Sequence, residues 1–233
     1  MTLSVLAAGS LRAVWPKIAA AYGQAVTVKF GPAGLLYERI RQGEHCDLFL
    51  SANIAHPQAL LLAGYAFESG IFTHNELCLS IRERLATPER SWLDLLSDAA
   101  LRIATSTPIS DPSGDYTWQL FERIEQQHPG FGESLKQRAL QLVGGPNSPT
   151  VPTGQSAASW LLNGDRADIF IGYQSYAAQP GIAVLAIPTP FQIRADYAFA
   201  VCNANARPLA AFLLSAQAQT ILQKGGFLPL APS

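Results

Sequence analysis

Four short segments carry residues of the kind that hold an anion. They are Ala8-Gly9-Ser10, Gly31-Pro32-Ala33-Gly34, Asp111-Pro112-Ser113-Gly114 and Thr153-Gly154-Gln155-Ser156. Each sets small or hydroxyl-bearing residues ahead of a segment that reads as helix. A helix start offers unpaired backbone N–H groups and the positive end of its dipole, so it holds an anion without a basic side chain. Glycine lets a ligand approach the backbone, and serine adds a hydroxyl donor. One such turn alone is an ordinary helix cap. Four of them point to a concentrated set of donors. Tyr173 closes the run Asp168-Ile169-Phe170-Ile171-Gly172-Tyr173 and adds a phenol just past a buried strand.

Other chemistries find little support. His45, His56, His74 and His128 are scattered, and none has metal-ligand spacing. There is no GxSxG elbow and no Walker A loop. Asp111 and Asp115 stand at a helix start, where acids commonly stabilise the dipole. The chain therefore reads as a binding protein and not an enzyme, with no cofactor and no metal held directly by side chains. Cys46, Cys78 and Cys202 are odd in number, far apart and without CxxC spacing. Each reads as a buried free thiol.

The elements that must position these groups alternate strand and helix. Residues 3–8 read as a strand and 10–22 as a helix capped by Ser10. Strands over 25–30 and 47–51 and helices over 34–42 and 54–63 follow, with Gly64 as a stop. Pro16 falls inside the first of these helices and predicts a kink. After a strand over 76–82, a second series runs through a strand at 102–106, a helix at 113–127, a loop at 144–152, a helix at 156–162 and a strand at 167–171. A strand over 196–201 and two helices within 207–223 complete the chain. Repeated βα units imply an α/β fold with parallel sheets covered on both faces. Ligands of such sheets bind at the carboxyl ends of the strands. Two lobes are predicted, one of residues 1–80 plus 197–233 and one of residues 81–196.

Composition excludes several classes. Of 233 residues, 48% are hydrophobic and 14% charged, which favours a full core over disorder. The net charge of −1 and the absence of a Lys/Arg run argue against a nucleic-acid surface. The apolar runs are strand-length, so no membrane insertion is expected. The first strand follows Met1 without a leader. The expected location is periplasmic if a signal peptide has been removed ahead of Met1, and cytoplasmic otherwise.

With these residues in view, the chain resembles the type II periplasmic solute-binding proteins, and most closely their molybdate-binding class. The resemblance lies in residues 5–11, Val-Leu-Ala-Ala-Gly-Ser-Leu, in residues 40–52, which include Asp47-Leu48-Phe49-Leu50-Ser51-Ala52, and in Asp111-Pro112-Ser113-Gly114. It continues through residues 167–173 and 210–227. It implies a two-lobed fold with a ligand cleft between the lobes and a tetrahedral oxyanion, molybdate or tungstate, as ligand. It also implies an ABC transporter permease as partner and a monomer. Carried over by position, Ser10 matches a serine ligand. The second serine of the class falls at Ala33 or Gly34, so that hydroxyl is missing here. Ser113 and Gln155 match backbone-amide donors, and Tyr173 matches the phenol donor. Alternatives stay open. Tyr173 and Tyr176 suggest the paired tyrosinates of ferric-binding relatives, and Asp115 a carboxylate of the kind some tungstate-binding relatives add. A cytoplasmic ligand-sensing protein of the same fold is the third.

Overall fold

The computed structural model describes residues 1–176 and 179–230, the side chain of Tyr176 excepted. The chain divides into two compact units. Unit one comprises residues 1–75 and 195–233, and unit two residues 76–194. The sequence alone predicts these divisions at 80/81 and 196/197, a few residues later in the chain.

Unit one is built on strand β1 (Leu3–Ala8), buried along nearly its whole length. It lies parallel to β2 (Val26–Gly31), in register from Leu3 opposite Val26 to Ala8 opposite Gly31, and on its other side to β3 (Leu48–Ser51). Strand β9 (Arg194–Val201) runs antiparallel to β3, and β4 (Glu68–Arg82) lies next in the order β2-β1-β3-β9-β4. Helices α1 (Trp15–Tyr22), α2 (Ala33–Arg41), α3 (Ala55–Leu62), α8 (Arg207–Leu213) and α9 (Ala216–Lys224) accompany this sheet.

The segment 10–22, predicted as a single helix, is two elements. A 3-10 turn at Gly9–Leu11 comes first, and α1 begins only at Trp15. Pro16 sits in the first turn of α1, where its missing N–H needs no partner, so it starts the helix and introduces no kink. Ser10 accordingly belongs to the 3-10 turn and caps no α-helix.

In unit two the strand order is β4-β7-β5-β6, with β8 (Ile182–Ala186) also on β4. The parallel strands are β5 (Ile103–Ser106), β6 (Leu140–Val143) and β7 (Ile169–Tyr173), and β7 and β8 run antiparallel to β4. The helices are α4 (Trp92–Ser97), α5 (Pro112–Gln127), α6 (Phe131–Arg138) and α7 (Ala157–Leu162). One part of the core gathers Ala104, Val143, Leu161, Ala167 and Phe170 from β5, β6, β7 and α7. Asp168 locks the start of β7 to β5: its Oδ2 accepts from the Arg102 amide at 2.9 Å and from Arg102 Nε at 3.0 Å. Burial pushes the Asp168 carboxyl up. Hydrogen bonds from Arg102 and the charges of Arg102 and Arg82 outweigh burial, and the net direction is down.

Candidate functional site

Unit one brings two of the predicted turns together. Ala8 lies opposite Gly31 at the carboxyl ends of β1 and β2, so the Ser10 turn and the start of α2 are neighbours. Pro32 precedes α2, and the first bond of that helix runs from the Leu36 amide to the Pro32 carbonyl at 3.0 Å. The amides of Ala33, Gly34 and Leu35 therefore have no carbonyl one turn back within the helix. Ala33 and Gly34 are buried.

Ser10 is 7% exposed. Its Oγ lies 2.7 Å from Tyr197 Oη, and Asn75 Nδ2 donates to the same phenol at 3.5 Å. The sequence reading missed both partners. Tyr197 lies in a strand that reads only as apolar core, and nothing in the sequence pairs it with Ser10. It missed Arg12 as well. The Arg12 guanidinium stacks 5.4 Å over the Phe30 ring, two residues after Ser10, and places a positive charge beside this turn.

In unit two, β5, β6 and β7 are parallel neighbours, so the loops that follow them leave one end of the sheet. Tyr173 ends β7 there and is 3% exposed. After β5 the chain turns through residues 107–111 into α5. Ile109 adopts a left-handed φ of 72° and is 85% exposed, an unusual conformation for a β-branched residue. Its amide donates to Asp115 Oδ1 at 2.7 Å. Asp115 thus clasps this loop, and one of its oxygens is already engaged.

Ser113 and Gly114 are buried in the first turn of α5. A Cβ on Gly114 would come 2.4 Å from the Thr107 carbonyl carbon, so only glycine lets the helix start lie against that backbone. Asp111 stands at the N-cap, and its Oδ2 accepts from Ser106 Oγ at 2.6 Å. Gly144, at φ 76°, covers this carboxyl; a Cβ there would lie 2.0 Å from Ser106 Oγ and 2.7 Å from Asp111 Oδ2. Burial raises the Asp111 pKa to about 6, helped by the charge of Asp115 and opposed by the hydrogen bond from Ser106 and the nearness of the Ser113 amide. The Ser113 amide assigned to an anion therefore lies near a carboxyl group of the protein itself, which does not cap the helix through its side chain.

The fourth turn is an ordinary cap. Ser156 accepts from the Ser159 amide and caps α7, which is only six residues long. Gln155 is exposed, and its amide donates to the Pro152 carbonyl at 3.1 Å. Of the tyrosine pair, only the Tyr173 side chain lies among the described ones. Among the described residues no group of three or more His, Cys, Asp or Glu is placed to hold a metal ion. No described helix is long and apolar enough to cross a membrane.

The two α/β units, with the order β2-β1-β3-β9-β4 in the first, define a type II periplasmic binding-protein fold. The profile of the bacterial extracellular solute-binding protein family matches residues 3–228, and the chain belongs to that family. An uncharacterized protein of Pasteurella multocida is 43% identical over 97% of this chain and 98% of its own length. The molybdate-binding protein ModA of Rhodobacter capsulatus is 24% identical, covering 88% of this chain and 78% of its own. The periplasmic molybdate-binding protein of Azotobacter vinelandii superposes with a TM-score of 0.79 at 20% identity, over 99% of this chain and 100% of that one.

Proposed function

We propose that this protein captures a tetrahedral oxyanion, molybdate or tungstate, for an ABC-type importer, and works in the periplasm. The observation that carries the reading is the pairing of the Ser10 turn with the start of α2 at the ends of β1 and β2. It concentrates a hydroxyl and several orphan amides in one place. The groups assigned to the anion are the Ser10 hydroxyl, the amides of Ala33, Gly34 and Ser113, and the Tyr173 hydroxyl. The Gln155 position contributes only if its turn releases Pro152. A buried dianion is costly unless its oxygens are hydrogen-bonded, and neutral donors meet that need. The molybdate-binding relatives in sequence and in structure support this ligand class.

The test is calorimetry and thermal melting of the purified chain against molybdate, tungstate, sulfate, phosphate and ferric citrate at fixed ionic strength. Molybdate or tungstate at 100 times its Kd is expected to stabilise the protein by about 2.7 kcal/mol. A shift with ferric citrate and none with the oxyanions overturns the reading in favour of a tyrosinate metal site.

A further inference from the structure

We propose that Cys46 and Cys202 are a disulfide pair, which a disulfide oxidant closes while Cys78 remains a thiol. The two cysteines are 156 positions apart in sequence, yet they meet where the β3–β9 ladder ends. Leu48 lies opposite Val201 in that ladder. Just beyond it the amides of Cys202 and Asn203 both donate to the Asp47 carbonyl, at 2.9 and 3.2 Å. The chain bends away from the ladder at Cys202 and Asn203, with both amides held on the one Asp47 carbonyl. The Cys202 thiol donates to the Ala200 carbonyl at 3.8 Å, and the Cys46 and Cys202 sulfurs are near enough for each to shift the ionisation of the other. Asp47 fixes this corner further: its amide donates to the Ser4 carbonyl at 2.8 Å and its Oδ2 accepts from the Ser4 amide at 2.7 Å.

The environment gives the two sulfurs different roles. Cys46 is buried and Cys202 is half-buried, so an oxidant reaches Cys202 first. Their mutual interaction favours the thiolate of Cys202 and disfavours that of Cys46, while the nearby Asp47 carboxylate disfavours both. Cys202 is therefore the attacking thiolate. It displaces one thiolate from the oxidant RSSR and forms a mixed disulfide. Cys46 then gives up its proton and attacks the Cys202 sulfur, releasing the second thiolate. Two cysteine thiols and RSSR become one protein disulfide and two RSH. Cys78 lies in β4, fully buried, and burial pushes its thiol up to about 11, so it takes no part.

The bond has a structural consequence. Unit one is assembled from two chain segments, 1–75 and 195–233, with unit two inserted between them. A Cys46–Cys202 bond joins those segments covalently. It closes a long loop, the case in which restriction of the unfolded chain is greatest. Extracellular proteins work where such bonds persist.

The experiment uses the full chain and no ligand, so its outcome is independent of the oxyanion reading. After equilibration with oxidised glutathione, thiol titration in denaturant is expected to fall from three thiols to one. Peptide mapping without reductant is expected to show Cys46 linked to Cys202. Dithiothreitol is expected to lower the melting temperature of the oxidised protein by roughly 5–15 °C. It should leave Cys46→Ser unchanged. Three titratable thiols after oxidation, a link through Cys78, or a glutathione adduct that stays on Cys202 would each overturn the proposal. The mapping is done on the natural sequence, so it decides the matter even where a serine variant folds poorly.

Discussion

Ser10 Oγ lies 2.7 Å from Tyr197 Oη, and the direction of that bond decides what Ser10 can give to an anion. Asn75 donates to the phenol oxygen through Nδ2. The phenol oxygen, with two lone pairs and one proton, can either accept from Ser10 Oγ as well or donate to it. Where the phenol donates, the Ser10 proton is turned away from Tyr197 and is available to an acceptor. Tyr197 is fully buried and packs edge-on against Phe72 and Phe227, so its oxygen is held in place. It acts as a positioning residue for the Ser10 donor.

Ser10→Ala and Tyr173→Phe are each expected to weaken molybdate binding by about 1–3 kcal/mol, since each removes a charge-assisted donor. Tyr197→Phe keeps the ring and lets the Ser10 hydroxyl rotate, so a loss of about 0.5–1.5 kcal/mol is expected. Calorimetry on the single variants and on the Ser10→Ala/Tyr197→Phe double variant checks this. If Tyr197 acts through Ser10, its effect vanishes in the Ser10→Ala background. Full additivity sinks the relay.

Ala33→Ser tests the missing hydroxyl. Ala33 is fully buried at the start of α2. A serine there without ligand is expected to lower stability by about 1 kcal/mol, because its hydroxyl is buried. With molybdate bound that hydroxyl gains a partner. The variant should therefore melt lower alone and show the larger ligand shift. Equal shifts in both proteins would mean that no anion oxygen reaches position 33.

Much of the architecture is written in local pattern. The apolar runs of β1, β3 and β7 and the turn residues before α2 and α5 are contiguous signals. The missed elements lack them. α4 is six residues long, and its signal is the capping box of Ser91 with Asp94. In β4, residues 68–75 mix polar and apolar types, so only its second half reads as a strand. At the site, the small-residue turns are visible because their chemistry is local. The Tyr197 partner of Ser10 is 187 residues away. The burial of Asp111 depends on Gly144 folding over it from the loop after β6. Such relationships follow from strand order, which composition and periodicity leave open.

Asp168 separates a structural carboxylate from a binding one. It is 5% exposed and ties the Arg102 amide and guanidinium to the start of β7. Its folded pKa is held down. Its contribution is therefore present above the unfolded carboxylate range and is lost as pH falls through the folded value. Asp168→Asn is expected to cost about 1–3 kcal/mol at pH 7, measured by urea unfolding. Molybdate affinity per folded molecule should stay the same. A selective loss of affinity at unchanged stability would place Asp168 in the anion site.

Asp111 carries the opposite sign, and its effect reaches the proposed ligand. Its pKa is raised from 3.8 to about 6, first by burial and then by the charge of Asp115. Below 3.8 the folded and unfolded chains both hold the proton, and the carboxyl costs nothing. Between the two values the folded chain binds more protons than the unfolded one, so stability falls as pH rises. Above 6 the full penalty of a partly buried, ionised carboxylate is present, about 3 kcal/mol at most. Asp111→Asn keeps an acceptor for Ser106 Oγ and removes the charge. The difference in unfolding free energy between the two proteins should therefore grow from pH 4 to pH 6 and then level off. Taking the difference cancels the lowered carboxylates, whose slopes run the other way. The same charge faces the Ser113 amide, so an ionised Asp111 opposes an anion at the start of α5. Molybdate affinity of the natural protein should rise as pH is lowered from 8 to 5.5, and that of Asp111→Asn should stay flat. Parallel pH profiles for the two proteins would remove Asp111, and with it the start of α5, from the binding of the anion.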